Sequence, residues 1–102
     1  MKVSLKKSTR KNKKMVMIFE DKKGKETSIK KVHFGNKGSH DFTTTGDEDK
    51  KKAYLARHKP REDWTDPFSP GALSRWILWN KPTIKESFKD YGKRFKLKLN
   101  KF

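Results

Sequence analysis

The sequence predicts an α+β fold: a β-hairpin, or a three-stranded meander, packed against about three short helices. Three observations carry this. First, the run Met15–Glu20 and the segment Thr27–Phe34 have strand length and many β-formers, and Asp21-Lys22-Lys23-Gly24 between them has turn chemistry. Second, three helix starts follow, at Asp47-Glu48-Asp49, at Ser69-Pro70 and at Thr83 with Glu86 three residues on. Third, Ile84, Phe88, Tyr91 and Phe95 fall at i, i+4, i+7 and i+11, the single apolar stripe of a helix that covers a core.

Residues 1–14 are strongly basic, while Val3 and Leu5 alternate as in an edge strand. Charge favours a solvated arm, so residues 15–102 are expected to form the single domain. In Thr27–Phe34 alternation is partial, with Lys30, Val32 and Phe34 on one side and Ile29, Lys31 and His33 on the other. Gly35–Gly46 reads as a loop with Phe42 as its anchor. The helix from Asp47 stops before Pro60 and has only Ala53–Ala56 to bury, so it should be peripheral. Trp64–Pro70 is an ordered turn in which aromatics bracket two prolines, with Asp63 and Asp66 as turn caps and partners for Arg61. The helix Pro70–Asn80 carries apolar residues on more than one face and should be central, with Trp76 buried beside the hairpin. In the last helix Gly92 is a point of early termination. The tail Phe95–Leu99 alternates and is open to a strand.

Of 102 residues, 39% are charged and 30% hydrophobic, a balance that would allow disorder if the apolar residues were scattered. They are clustered, with three Trp and seven Phe, and aromatic side chains bury the most area per residue. The net charge is +16 and uneven. Residues 1–31 carry twelve Lys/Arg and three acids, residues 32–80 eight and seven, and residues 81–102 eight and two. Self-repulsion on this scale opposes compaction unless a polyanion relieves it.

Nucleic acid, held through its phosphates, is the partner this charge fits. Only Arg10, Arg57, Arg61, Arg75 and Arg94 are arginines; the other 23 basic residues are lysines. Lysine is a mobile point charge for phosphates, whereas arginine is the planar fork that reads guanine edges. The binding residues expected are Lys6, Lys7, Arg10, Lys11, Lys13 and Lys14 near the N-terminus, and Lys85, Lys89, Lys93, Arg94 and Lys96 along the last helix. Lys85, Lys89, Lys93 and Lys96 make a cationic stripe opposite the apolar one.

Other chemistries find less support. With no Cys there is neither a disulfide framework nor a thiolate zinc site. His33, Asn36 and His40-Asp41 faintly resemble a ββα-metal nuclease, but that motif needs its second ligand on the helix, and His40 precedes it. The tryptophans, beside Leu73 and Ile77, read as core before they read as base-stacking platforms. No catalytic residue and no cofactor is therefore expected. Residues 1–14 lack the apolar run of a secretory signal, and Trp76–Trp79 is too short to span a membrane.

The blocks His33-Phe34-Gly35, Asp41-Phe42-Thr43, Lys52–His58, Arg61–Pro67 and Leu73–Pro82 occur in an order and spacing that resemble a family of small basic proteins. That family is encoded by nucleocytoplasmic large DNA viruses of the marseillevirus and mimivirus lineages, and the likeness spans about His33 to Phe95. The resemblance implies a viral protein, carried in the particle or made in the cytoplasmic viral factory, or acting in the host nucleus. The matching blocks themselves read as scaffold, with Arg57, Arg61 and Arg75 expected to pair with Asp41, Asp63 or Asp66.

The function expected is sequence-independent binding of double-stranded DNA in genome packaging or virion organisation. The alternatives are a cement or scaffold component of the virion, with other virion proteins as partners, and an RNA-binding protein of ribosomal type. A homodimer is open, since so small a core would gain from a symmetric interface.

Overall fold

The computed structural model describes the backbone of residues 1–102 and every side chain except that of Lys101. Its α+β architecture is a four-stranded mixed sheet with short helices on one face. Strands β1 (Lys2–Lys7), β2 (Lys13–Lys23) and β3 (Glu26–Asn36) are successive antiparallel neighbours. Strand β4 (Lys98–Lys101) lies parallel to β1 on its free side, giving the order β3-β2-β1-β4. The predicted hairpin is β2–β3. Its two-residue loop begins at Gly24, whose φ of +63° has the sign a type II′ turn requires at that position.

The N-terminal segment corrects an expectation. Lys2–Lys7 is neither an arm nor an edge strand but an interior strand, with Val3 and Leu5 essentially inaccessible. Alternation outweighs charge here because period two places Lys2 and Lys6 on the opposite face from the two apolar side chains, and Lys7 ends the strand exposed. Strand β1 is thus part of the sheet and its core.

The region read as a loop contains helix α1 (Phe42–Thr45), capped by Asp41 and ended by Gly46. Helix α2 (Glu48–His58) is capped by Asp47, which accepts from the backbone N–H of Asp49 and Lys50. As predicted it is peripheral, with Tyr54 its one buried residue. Lys51 helps to dock it, donating to the Asn80 carbonyl at 2.7 Å with its ammonium 4.7 Å from the Phe42 ring centroid.

Helix α3 (Pro70–Leu73) starts at the Ser69 cap and runs into a π-turn over Ser74–Leu78, closed by Trp79 N–H donating to the Ser74 carbonyl. Leu73, Ile77 and Leu78 all reach the core. Trp76 is only partly buried, at the edge of that core rather than within it. Its indole N–H donates to the Trp64 carbonyl, and the guanidinium carbons of Arg75 and Arg94 lie 4.1 and 3.8 Å from its ring centroid. A ring with a donor to satisfy and two cations to stack settles at a boundary, which explains the correction.

Helix α4 (Ile84–Phe95) starts at Thr83, whose hydroxyl accepts from the Glu86 N–H and donates to its carboxylate. It continues through Gly92, where any Cβ would stand 2.7 Å from a Leu99 methyl. Gly92 thus serves close packing of α4 on β4 rather than termination. The helix ends at Lys96 in a Schellman pattern, with Leu97 N–H donating to the Gly92 carbonyl and Lys96 N–H to that of Lys93. Tyr91, inaccessible at the centre of α4, donates to the Pro67 carbonyl and ties the Trp64–Pro70 turn to the core.

Candidate nucleic-acid interface

Alternation divides the sheet cleanly. Val3, Leu5, Met15, Met17, Phe19, Val32 and Phe34 form one core with the helices. The other face presents Lys2, Ser4 and Lys6 of β1, Val16, Ile18 and Glu20 of β2, Ile29, Lys31 and His33 of β3, and Lys98 of β4. Lys2, Lys6, Ile29, Lys31 and Lys98 are exposed there. Lys2 stands beside Lys98 in the parallel ladder, a like-charge pair that costs stability unless an anion relieves it.

Helix α4 lies on the other, core-facing side of the sheet, beside β4. Gly92 packs on Leu99 and the Phe88 ring lies 6.1 Å from that of Phe102, so α4 runs antiparallel to β4. Lys93 and Lys96 are therefore at the end of the sheet where Lys2 and Lys98 begin, and Lys85 is at the end where β1 finishes. Lys89 and Lys93 line, with Leu97 and Leu99, a shallow groove between α4 and β4, which sets the stripe along that edge of the sheet.

Most residues nominated from sequence are exposed. Lys6 and Lys7 end β1, Arg10 and Lys11 occupy the β1–β2 turn, and Lys85, Lys89, Lys93 and Lys96 stand free on α4 and its cap. Lys13, in β2, is partly buried. Two others are drawn into the structure. The Lys14 ammonium meets the carboxylate of buried Asp41 at 2.5 Å and also donates to the Ser39 carbonyl. Asp41 further accepts from the N–H and hydroxyl of Thr43, so Lys14 is the counter-ion of a buried cap rather than a free phosphate ligand. Arg94 is bonded to Asp90 at 3.3 Å and lies on the Trp76 ring, so it is a half-committed cation. Lys31 and Lys98 were not nominated. The signal for them was the alternation with Val32 and Leu99.

The arginine pairings expected from sequence do not form. Asp63 accepts from Thr65 and Asp66 from the Phe68 N–H, so each closes its own turn, and Asp41 takes Lys14. Those hydrogen bonds from Thr65 hold the Asp63 carboxyl below its usual range. Arg75 donates to the Trp79 carbonyl, and burial lowers its pKa. Among the described side chains, Lys14 and Arg94 are the only lysine or arginine within 4.0 Å of a carboxylate.

His33, on the outward face, shares a 2.7 Å hydrogen bond with the Ser8 hydroxyl. Partial burial, then the charges of Arg10 and Lys31, hold its pKa below 6.5. His40 is exposed, and no group of three His, Asp or Glu side chains converges to hold an ion among the described residues. No described helix is long and apolar enough to cross a membrane.

Neither the curated proteins nor the solved structures contain a match to this chain. Residues 3–58, from the interior strand β1 to the end of α2, match a family described as one of unknown function, DUF5754. The match covers more than half of the sequence, and the chain belongs to the DUF5754 family.

Proposed function

We propose that this protein binds double-stranded DNA through its phosphates with little regard to sequence, and acts in packaging or organising a viral genome. The observation that carries the proposal is the union of the two cationic segments. The parallel pairing of β1 with β4 brings the start of the chain beside the end of the segment 81–102, and nearly all the described cations of the two segments have no carboxylate within 4.0 Å. A surface with so much unrelieved like charge gains most from a dense polyanion, and a duplex carries one charge per about 1.7 Å of axis. The predominance of lysine over arginine favours phosphate contact over base reading. The viral setting is supported by the resemblance of the blocks between His33 and Phe95 to small basic proteins of large DNA viruses.

Fluorescence anisotropy with duplexes of unrelated sequence tests this. Affinities should agree within a few-fold, and log affinity should fall linearly with log salt, with a slope of about −5 for roughly six contacts. Replacing Lys85, Lys89 and Lys93 by Gln should flatten that slope by about 3 and change stability by less than about 1 kcal/mol. A preference above about a hundredfold for one sequence at fixed salt would sink the proposal. Unchanged DNA affinity in the triple variant, together with lost self-association, would move the function to particle scaffolding.

A further inference from the structure

A second site lies away from the lysine stripe of α4. Between α2, α3 and the β2–β3 sheet end is a cleft of about 700 Å³, within the range of small-molecule sites. Helix α2 turns Lys50, Ala53, Tyr54 and Arg57 toward it, the positions of a single helical face. That face is the one on which a surface helix buries its apolar side chains, yet Ala53 and Arg57 remain exposed along the cleft.

The wall is aromatic. Trp79 and Tyr54 stack at 4.3 Å between centroids and 6° between planes, and the His58 ring stacks on Tyr54 at 4.2 Å. Both ends of this column, Trp79 and His58, are partly exposed and line the cleft. The column is fixed at its His58 end by Glu62, which also lines the cleft. His58 Nδ1 and Trp64 Nε1 each bond a different oxygen of Glu62, at 2.8 and 3.0 Å.

The charge of the cleft is unbalanced toward cations. Its two carboxylates are already committed, Asp41 to Lys14 and Glu62 to His58 and Trp64. Lys13, Lys50 and Arg57 have no carboxylate within 4.0 Å. All of these except Trp79, Glu62 and Trp64 lie in the span that the family match covers.

We infer that this cleft binds a phosphorylated nucleoside, its base continuing the Trp79–Tyr54–His58 column and its phosphate held by Lys13, Lys50 and Arg57. A planar ring and an anion are the two features the walls offer partners for, and a nucleotide joins both in one molecule. The nucleotide can be free, or the 5′-phosphorylated end of a strand.

Calorimetric titration of the full chain at about 0.15 M salt separates these sources. The ligands are AMP, adenosine, inorganic pyrophosphate and a 5′-phosphorylated trinucleotide. Saturable binding of AMP at least about tenfold tighter than adenosine and pyrophosphate assigns a free nucleotide. The same margin for the trinucleotide alone assigns a strand end. Arg57→Gln and Lys50→Gln, both at exposed positions, should each weaken that binding about tenfold with an unchanged circular dichroism spectrum. The variant with Lys85, Lys89 and Lys93 replaced by Gln should bind it as the wild type does, so failure of the duplex reading leaves this site testable. Pyrophosphate binding as tightly as AMP and the trinucleotide would overturn the inference, as would no saturable binding of either nucleotide ligand. Binding insensitive to Arg57 and Lys50 would overturn the location.

Discussion

The sheet with α4 and the helical middle handle charge in opposite ways. Within residues 41–66 several acids are engaged locally. Asp41 and Asp47 cap helices, Asp63 and Asp66 close turns, and Glu62 fixes His58 and Trp64. Lys2 and Lys6 of β1, Lys98 of β4 and the lysines of α4 have no such engagements, and they stand on faces that period two and period 3.6 turn away from the core. An acid near backbone N–H groups is consumed by the fold, whereas a lysine opposite an apolar residue is left for a partner. Among the described side chains, Lys14 marks the one ion pair between the two regions.

Removing residues 1–7 should break the comparison most severely. A dispensable arm would leave the melting curve unchanged. An interior strand should take Val3, Leu5 and the only neighbour of β4 with it, at a cost of several kcal/mol against a total of about 5–15. The truncated chain is expected to show no cooperative transition in thermal circular dichroism.

Asp41→Ala cuts the exchange between the regions. It strands the partly buried Lys14 ammonium and uncaps α1, so urea denaturation should report a loss of about 2–4 kcal/mol. A loss no larger than that of an exposed substitution, about 0.5 kcal/mol, would mean that Lys14 is as free as Lys11.

Lys96→Gly sharpens the contrast from the other side. Lys96 has φ +54°, the left-handed region that costs a side chain about 1 kcal/mol, and glycine should recover about that amount in a denaturation midpoint. If the lysine is retained there for phosphate contact, the same variant should flatten the DNA salt slope by about 1.

The smallest effect concerns His33. Its folded pKa lies below 6.5, so the unfolded chain takes the proton first. The stability it contributes is present above about 6.5 and is lost as pH falls through the folded value. Phosphates on the outward face of the sheet should raise that pKa, so duplex affinity should grow as pH falls through the same window. NMR titration of the imidazole with and without duplex measures the shift, and an unchanged pKa would exclude this face from the interface.

The elements written in contiguous residues were legible in the sequence. The hairpin, the helix start near Asp47, the caps at Ser69 and Thr83, and the stripe of α4 depend on spacings of two to four residues, and local sterics and hydrogen bonding enforce them. The alternation of Val3 and Leu5 was equally visible, but its meaning depended on what lies on either side of β1. The cationic stripe of α4 was legible too, because a helix carries its own periodicity. The tertiary structure alone decided that β1 is interior, since its second neighbour, β4, comes from the other end of the chain and Asn100 meets Ser4. It alone gave Lys14 to Asp41, 27 residues away, and set Trp76 at the rim of the core between its hydrogen bond and two guanidinium groups. The cleft beside α2 has the same origin, because its walls come from separate stretches of chain. Local interactions select conformations residue by residue, whereas a partner distant in sequence is chosen only when burial of the whole core sets one side of each element against another.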